Sequence, residues 1–378
     1  MPRLLHLADL HLGWTPRDLP VALADARRAQ RDARLHEAVD LALRERVHAV
    51  VITGDLFETF DPPGETVRDV RAALARLVAA GIAVVTVPGN HDELTYARSV
   101  YRRESERWPG LLVRAPMPAH VGELVLDGVT VHLHGVAYLG GVTDVRNVLA
   151  DLPDTSAPGR HVFLAHGTLV HAVADTVDER SLPLPRAALA AAGYAYVALG
   201  HVHAPSEQRL GGALTVYPGC VGGKGFDDPG ADAWTLVELG AHGVRVQRRP
   251  HAAPALRDLT LDVSACDGED GVAEALLGLV ARHSGDLLRV RLRGVLPAPL
   301  DLDELAQRCG AEAFHLRLED HTSSVSPALL EAWGASPTVR GTFVRRLRAR
   351  LDARDDPAAR ARIGRALRLG LDALAGGR

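Results

Sequence analysis

Residues 48–57 read His48-Ala49-Val50-Val51-Ile52-Thr53-Gly54-Asp55-Leu56-Phe57. An apolar, β-branched run breaks at once into Gly-Asp. A run of this kind without polar alternation predicts a strand buried on both faces, as in a parallel sheet. The same form recurs on either side. Leu4-Leu5-His6-Leu7 runs into Asp9-Leu10-His11, and Ala83-Val84-Val85-Thr86-Val87 runs into Gly89-Asn90-His91-Asp92. Between them, residues 23–46 and 65–80 carry helical periodicity in Ala, Leu and Arg. Further strands are predicted over 129–136, 161–165, 195–199 and 215–217, and 234–239 with 244–248 reads as a hairpin. Crossovers beside a hairpin predict an α/β fold with mixed sheets.

The 378 residues, 47% apolar and 24% charged, exclude a disordered or collagen-like chain. The length suggests two or three domains. A net charge of −4 gives no global sign of nucleic-acid binding. No apolar run approaches the ~20 residues of a membrane-spanning helix. Met1-Pro2-Arg3 leads straight into the first strand with no signal-peptide pattern, so a cytoplasmic protein is expected. Cys220, Cys266 and Cys309 lack the spacing of a disulfide framework or a thiolate zinc site. Lys224 is the chain's one lysine, which a GC-rich genome explains as well as any functional demand does.

Residues 250–254, rich in Pro and Ala, read as a linker. After it, residues 257–264, 270–283, 287–294, 301–309 and 313–319 read strand, helix, strand, helix, strand. Residues 338–378 read as two helices parted near Asp355-Asp356-Pro357, and from 340 onward they hold 11 basic and 4 acidic side chains. The expected division is a catalytic domain over 1–250, a small α/β domain over 255–330 and a basic helical tail over 338–378. Ile363, Leu367, Leu371 and Leu374 fall on one face of the last helix, an apolar stripe that needs covering.

Five polar clusters directly follow predicted strands: Asp9-Leu10-His11, Gly54-Asp55, Gly89-Asn90-His91-Asp92, His166, and Gly200-His201-Val202-His203. Strand ends converge at one rim in α/β folds, so residues distant in sequence can meet there. The side chains collected are Asp, Asn and His, an oxygen and nitrogen set suited to Mn²⁺, Fe or Zn²⁺ in an open site. Asp9, His11, Asp55, Asn90, His166, His201 and His203 are too many ligands for one metal and fit two with a bridging carboxylate. Such a pair activates a water and orients a phosphate for in-line displacement. His91 is then left over as an acid for the departing oxygen. His132 and His134 alternate on one strand and read as a packed or solvated face. His120 and His161 stand in no ligand-like context, and His6 reads as packed within its strand.

The blocks Ala8–Gly13, Thr53–Phe57, Pro88–Asp92, Ala165–Gly167 and Leu199–His203 resemble the signature blocks of calcineurin-like metallophosphoesterases. Within that superfamily the chain resembles the SbcD-type DNA repair exonucleases, including the YhaO branch. The resemblance implies a four-layer β-sandwich flanked by helices, with a small α/β capping domain and a helical C-terminal tail. It implies one metal on Asp9, His11, Asp55 and His203, and a second on Asp55, Asn90, His166 and His201. Asp55 would bridge them, and His91 would serve catalysis. Two divalent ions, foremost Mn²⁺, would drive DNA phosphodiester hydrolysis by an exonuclease, with single-strand endonuclease action as a further option. The resemblance also implies an SbcC-like or YhaN-like ATPase partner, docked through the C-terminal helices, and leaves a homodimer open. Two alternatives keep the fold: action on small phosphodiesters, nucleotides or phosphoproteins, and a scaffold without turnover. Glu58 departs from the family pattern, since relatives often place Asp or His there.

Overall fold

A computed structural model describes the chain apart from residues 18, 141–148, 150, 172–179, 252–253, 297–298, 324–326, 355 and 376–378. It divides into two compact units, Met1–Ala253 and Pro254–Arg378.

The first unit opens with β1 (Arg3–Leu7), α1 (Val21–Glu45), β2 (Ala49–Thr53), α2 (Gly64–Ala79), β3 (Ala83–Val87), α3 (Val100–Arg103) and β4 (Leu111–Leu112). It continues with β5 (Ala119–Leu126), β6 (Val129–Gly135), β7 (Arg160–His166), β8 (Thr168–Val170), β9 (Pro183–Pro185) and α4 (Arg186–Ala191). β10 (Tyr196–Gly200), β11 (Ser206–Leu210), β12 (Ala213–Tyr217), β13 (Ala233–Gly240) and β14 (Gly243–Pro250) complete it.

Two six-stranded sheets result, in the orders β14-β13-β1-β2-β3-β4 and β11-β12-β10-β7-β6-β5. Both are mixed. β1 to β4 run parallel and β13 pairs antiparallel to β1; β6, β7, β10 and β12 run parallel, with β5 and β11 antiparallel at the edges. Leu5, Val50, Val85 and Leu236 of the first sheet pack with Val131, Val162, Ala198 and Val216 of the second in one core. Leu35 and Val39 of α1 and Val70 and Leu74 of α2 join the same core. On the second sheet's outer face, Leu189 of α4 packs with Phe163, Val197 and Leu199. Helix, sheet, sheet, helix is the four-layer arrangement the sequence implies.

His6 crosses the sandwich as a polar strut. Its ring nitrogens meet the Tyr196 hydroxyl at 2.7 Å and Thr53 Oγ1 at 2.9 Å. Burial, with Arg248 adding, pushes this imidazole down to about 3, so it is neutral in the folded protein. The unfolded chain protonates it near 6.5 and binds the extra proton between about 3 and 6.5, so stability rises with pH across that window. His6→Gln is therefore expected to flatten the difference in urea stability between pH 4 and pH 7. An unchanged difference would refute the buried neutral assignment.

The second unit contains β15 (Leu256–Asp262), α5 (Gly268–Ala281), β16 (Leu287–Val295), α6 (Leu302–Cys309) and β17 (His315–Ser323), the three strands forming one parallel sheet. Val272, Leu276, Val290, Leu292 and Leu305 fill the core between sheet and helices. α7 (Pro327–Ala335), α8 (Val339–Asp352) and α9 (Pro357–Ala375) follow. The helical region thus begins earlier than the sequence suggests; Asp355, part of the expected break, lies outside the described residues, as do Ala252 and Ala253 of the expected linker. Leu367 and Leu371 pack on Val344 of α8, so much of the apolar stripe is covered within the chain itself. Among the described residues no helix is long and apolar enough to cross a membrane.

Candidate metal centre

The loops after β1, β2, β3, β7 and β10 meet at one rim of the sandwich, and every predicted site residue lies there. Backbone bonds stitch the first two loops together: Asp9 N–H donates to Gly54 O at 3.1 Å and His11 N–H to Asp55 O at 2.9 Å. Asp92 ties in the third, accepting from Gly89 N–H at 2.7 Å, Phe57 N–H at 3.1 Å and the Tyr101 hydroxyl at 2.8 Å. Among the described residues only six non-glycine positions have positive φ, and four are Asp9, His11, Asp55 and His201. Side chains rarely adopt that backbone, and its concentration here marks a functional rim. The glycines answer the same crowding. A Cβ on Gly54 would strike the His166 ring, and one on Gly89 would strike the Asp55 carboxylate.

Asp9, His11, Asp55, Asn90 and His166 are all buried. His166 Nδ1 donates to Thr53 O at 2.9 Å, so Nε2 is a lone pair in the neutral ring and takes a second proton when no other cation is present. That lone pair faces Asn90 Oδ1 at 2.9 Å and Asp55 Oδ2 at 3.4 Å, neither of which can donate. His201 Nδ1 lies 3.0 Å from the same Asn90 oxygen. On the other side, His11 Nε2 and His203 Nε2 stand 3.1 Å apart. Behind each ring is a carboxylate: Glu58 Oε2 lies 2.8 Å from His11 Nδ1, and Asp228 Oδ2 lies 2.5 Å from His203 Nδ1. The His203 Nδ1 proton bonds its carboxylate, whereas His11 Nδ1 lies close to Glu58 without hydrogen-bond alignment; with both rings neutral and protonated at Nδ1, two lone pairs confront each other at the centre. His11 Nε2 is also 3.6 Å from Asp55 Oδ2, and His203 Nε2 is 4.0 Å from Asp9 Oδ1.

Facing acceptors need a cation between them, a proton or a metal ion, and the oxygen and nitrogen donors gathered here fit metal ions. Three groups of donor atoms at this rim each lie within 4.8 Å: Asp9 with His11 and His203, Asp9 with Asp55 and His166, and His11 with Glu58 and His91. Asp9 reaches the first two of these, a closer involvement than the sequence suggests.

The electrostatics agree. Burial pushes Asp9 up to about 6 against the pull of His166 and His203. Burial opposes the charge on Asp55 too, but His166, His11 and His91 outweigh it and hold that carboxyl well below its usual range. Burial would lower His166, yet Asp55 prevails and raises it to about 9.

His91 stands apart, its side chain 28% exposed. Its backbone N–H donates to Asp55 Oδ1 at 2.9 Å, and its Nδ1 donates to Glu58 O at 2.9 Å. Its ring lies edge-on to His11 with centroids 4.8 Å apart.

Glu58, Lys224, Asp228, Arg27 and Arg31, five residues outside the strand-end motifs, surround the centre. Lys224 Nζ lies 2.9 Å from Glu58 Oε2. Burial resists the Glu58 charge, but His11 and Lys224 overcome it and bring the carboxyl down to about 2. Lys224 and Asp228 sit on the loop between β12 and β13, which α1 holds by two buried arginines. Arg27 donates to Gly222 O, and Arg31 donates to Gly223 O and to Leu10 O, the last at 2.9 Å. The lone lysine within Gly222-Gly223-Lys224-Gly225-Phe226-Asp227-Asp228 is the one sequence signal that marks this loop. Cys220 is buried and its thiol is pushed up by burial, so it is no nucleophile.

A two-sheet sandwich with an Asp/Asn/His rim defines a metal-dependent phosphoesterase architecture. The family model described as calcineurin-like phosphoesterase matches residues 2–205, and the chain belongs to that family. It is 30% identical over 275 residues to the DNA double-strand break repair protein Mre11 of Aeropyrum pernix, covering 66% of this chain and 62% of that protein. It is 29% identical over 302 residues to the SbcD component of the SbcCD nuclease of Rhodobacter capsulatus, covering 68% and 71%. Against the uncharacterized metallophosphoesterase YhaO of Bacillus subtilis the identity is 23% over 240 residues, covering 62% and 57%. The match thus spans less than two thirds of the Aeropyrum and Bacillus proteins' own lengths. The relatives lie in the branches that the motifs indicate.

Proposed function

We propose that the chain is a dinuclear-metal nuclease that hydrolyses DNA phosphodiester bonds. The observation that carries this reading is the pair of lone-pair confrontations on either side of Asp55, at a rim partly open to solvent through His91. Asp9, His11, Asp55 and His203 would hold one divalent ion, and Asp55, Asn90, His166 and His201 the other. Mn²⁺ suits this thiolate-free set. When bound, the ions lower the pKa of a water, orient the phosphate and offset charge on its oxygens.

The chain's own groups do the rest. Glu58 and Asp228 fix the tautomers of His11 and His203 so that both present Nε2 to the centre. Asp9 accepts the His201 N–H through both oxygens, at 3.1 and 3.2 Å, and so sets the turn carrying His201. His91, anchored by Nδ1–H on Glu58 O, would act as the imidazolium, turning Nε2–H to the departing oxygen and passing that proton to it.

The DNA substrate rests on the Mre11 and SbcCD relatives. The name of the Rhodobacter protein makes it one part of a larger nuclease, and by that likeness this chain would work with an SbcC-like ATPase in the cytoplasm. Residues 1–250 would supply catalysis, residues 255–330 a separate α/β domain and residues 338–378 the docking element.

The test is incubation with end-labelled linear duplex DNA, and separately with bis-p-nitrophenyl phosphate, in Mn²⁺ or EDTA. Metal-dependent shortening of the duplex is expected. Hydrolysis of the small ester alone, also with the ATPase present, would remove DNA as substrate. Glu58→Gln is expected to weaken metal binding about 10- to 100-fold, read as the Mn²⁺ concentration giving half-maximal activity. An unshifted titration would show that Glu58 does not orient His11.

A further inference from the structure

A second cluster of imidazoles lies away from the rim. β6 turns Val131 and Leu133 into the sandwich core and His132 and His134 to the opposite face. There the His134 ring packs on Tyr194, centroids 5.4 Å apart. His132 stacks on His161 of β7 at 4.5 Å and 14°.

β5, the edge strand, brings two more groups to this face through an irregularity. The register steps from His120 opposite His134 to Gly122 opposite Leu133 and Glu123 opposite His132, so Val121 is an inserted residue. In a regular strand, residues three apart point to opposite faces. The bulge turns His120 and Glu123 onto the same one. His132 Nδ1 and His120 Nε2 lie 3.0 and 3.6 Å from the single oxygen Glu123 Oε1. All three donor atoms fall within 4.8 Å of one another. Tetrahedral zinc, with bonds of ~2.1 Å, separates its ligand atoms by ~3.4 Å, and the two measured spacings bracket that.

Proton placement sharpens the point. His132 Nε2 lies 3.1 Å from Pro158 O, and a carbonyl only accepts, so that nitrogen carries the hydrogen. The Nδ1 lone pair is then aimed at a carboxylate oxygen 3.0 Å away, an approach that needs a cation in between. His161 Nε2 likewise donates to Ala157 O at 2.8 Å, leaving its Nδ1 to accept from His134 Nε2 at 2.9 Å. His134 Nδ1 is thereby left buried with no hydrogen-bond partner among the described residues. A buried array ending in an orphaned nitrogen is poorly satisfied by its own hydrogens.

We propose that His120, Glu123 and His132 form a third metal site, separate from the phosphoesterase centre. Two imidazoles and one carboxylate select a borderline transition ion of the Zn²⁺ class. His120 and Glu123 are exposed, so the ion enters from solvent, and water takes the fourth position. The ion clamps the edge strand to its neighbour, joining β5 to β6 through side chains where the bulge interrupts the ladder.

The test counts zinc. The full chain and its Glu123→Gln and His120→Ala variants are preloaded with Mn²⁺, equilibrated against Zn²⁺, and assayed for bound metal by mass spectrometry. One fewer total metal equivalent is expected in each variant, with Mn²⁺-dependent phosphoesterase turnover unchanged. Addition of Zn²⁺ should also raise the melting temperature of the wild type more than that of Glu123→Gln, which keeps the side chain's shape and is not expected to unfold. Equal equivalents in wild type and both variants would overturn the site and leave a proton as the bridging cation.

Discussion

His91→Ala is expected to lower Mn²⁺-dependent cleavage by about 10²- to 10⁴-fold while the bound metal per chain stays at the wild-type level. The separation of these two readouts follows from how the residue is held. Its contact with Asp55 runs through the backbone N–H at 2.9 Å, which alanine retains. Its ring makes an edge-on contact with His11 and a bond to Glu58 O, and neither contact supplies a donor atom to the proposed set around Asp55. Removing the ring therefore removes the proton donor and spares the cage. The loss should be smaller for substrates whose leaving group needs no proton, such as p-nitrophenolate. Undiminished DNA cleavage by the variant would eliminate His91 as the acid.

Asp55→Asn carries the other large effect. One carboxylate oxygen takes the His91 N–H, and the other faces His166 and His11 at 3.4 and 3.6 Å. The amide keeps the shape and one acceptor but deletes the negative charge that both ions would share. Activity is expected to fall by more than about 10³-fold, since roughly four or more kcal/mol of barrier stabilisation goes with the bridge. At least one metal equivalent should be missing by elemental analysis. Full metal content with cleavage within tenfold of wild type would show that Asp55 does not bridge.

Much of this was legible from the sequence because parallel strands buried on both faces must be continuous apolar runs. β2 and β3 therefore declared themselves, and the polar residues ending each run had to be loops at one rim. Two edge strands of the second sheet, β5 and β11, escaped detection for the converse reason. β5 alternates exposed and half-buried positions and carries Glu123 and His120, and β11 reads Ser206-Glu207-Gln208-Arg209-Leu210, with one face in water. Their periodicity is too polar to separate from a loop.

The supports of the site were hidden by chemistry of a different kind. Arg27 and Arg31 look like solvated positions on an amphipathic helix, yet both are buried because carbonyls of a glycine-rich loop absorb their hydrogens. Asp228 and Lys224 carry no motif, since an outer carboxylate is defined by where it meets a ring nitrogen, and spacing along the chain does not encode that. The approach of His120 to Glu123 was not legible because it depends on a bulge; in a regular strand residues three apart point to opposite faces.

The family match ends at residue 205, but β13 lies between β1 and β14 in the first sheet. A chain shortened to that boundary would strip β1 of its neighbour and bare a row of amide and carbonyl groups along an apolar strand, an invitation to intermolecular pairing and aggregation. It would also discard Lys224 and Asp228. Shortening at Ala253 keeps both, along with a complete sheet, so expression trials should cut there.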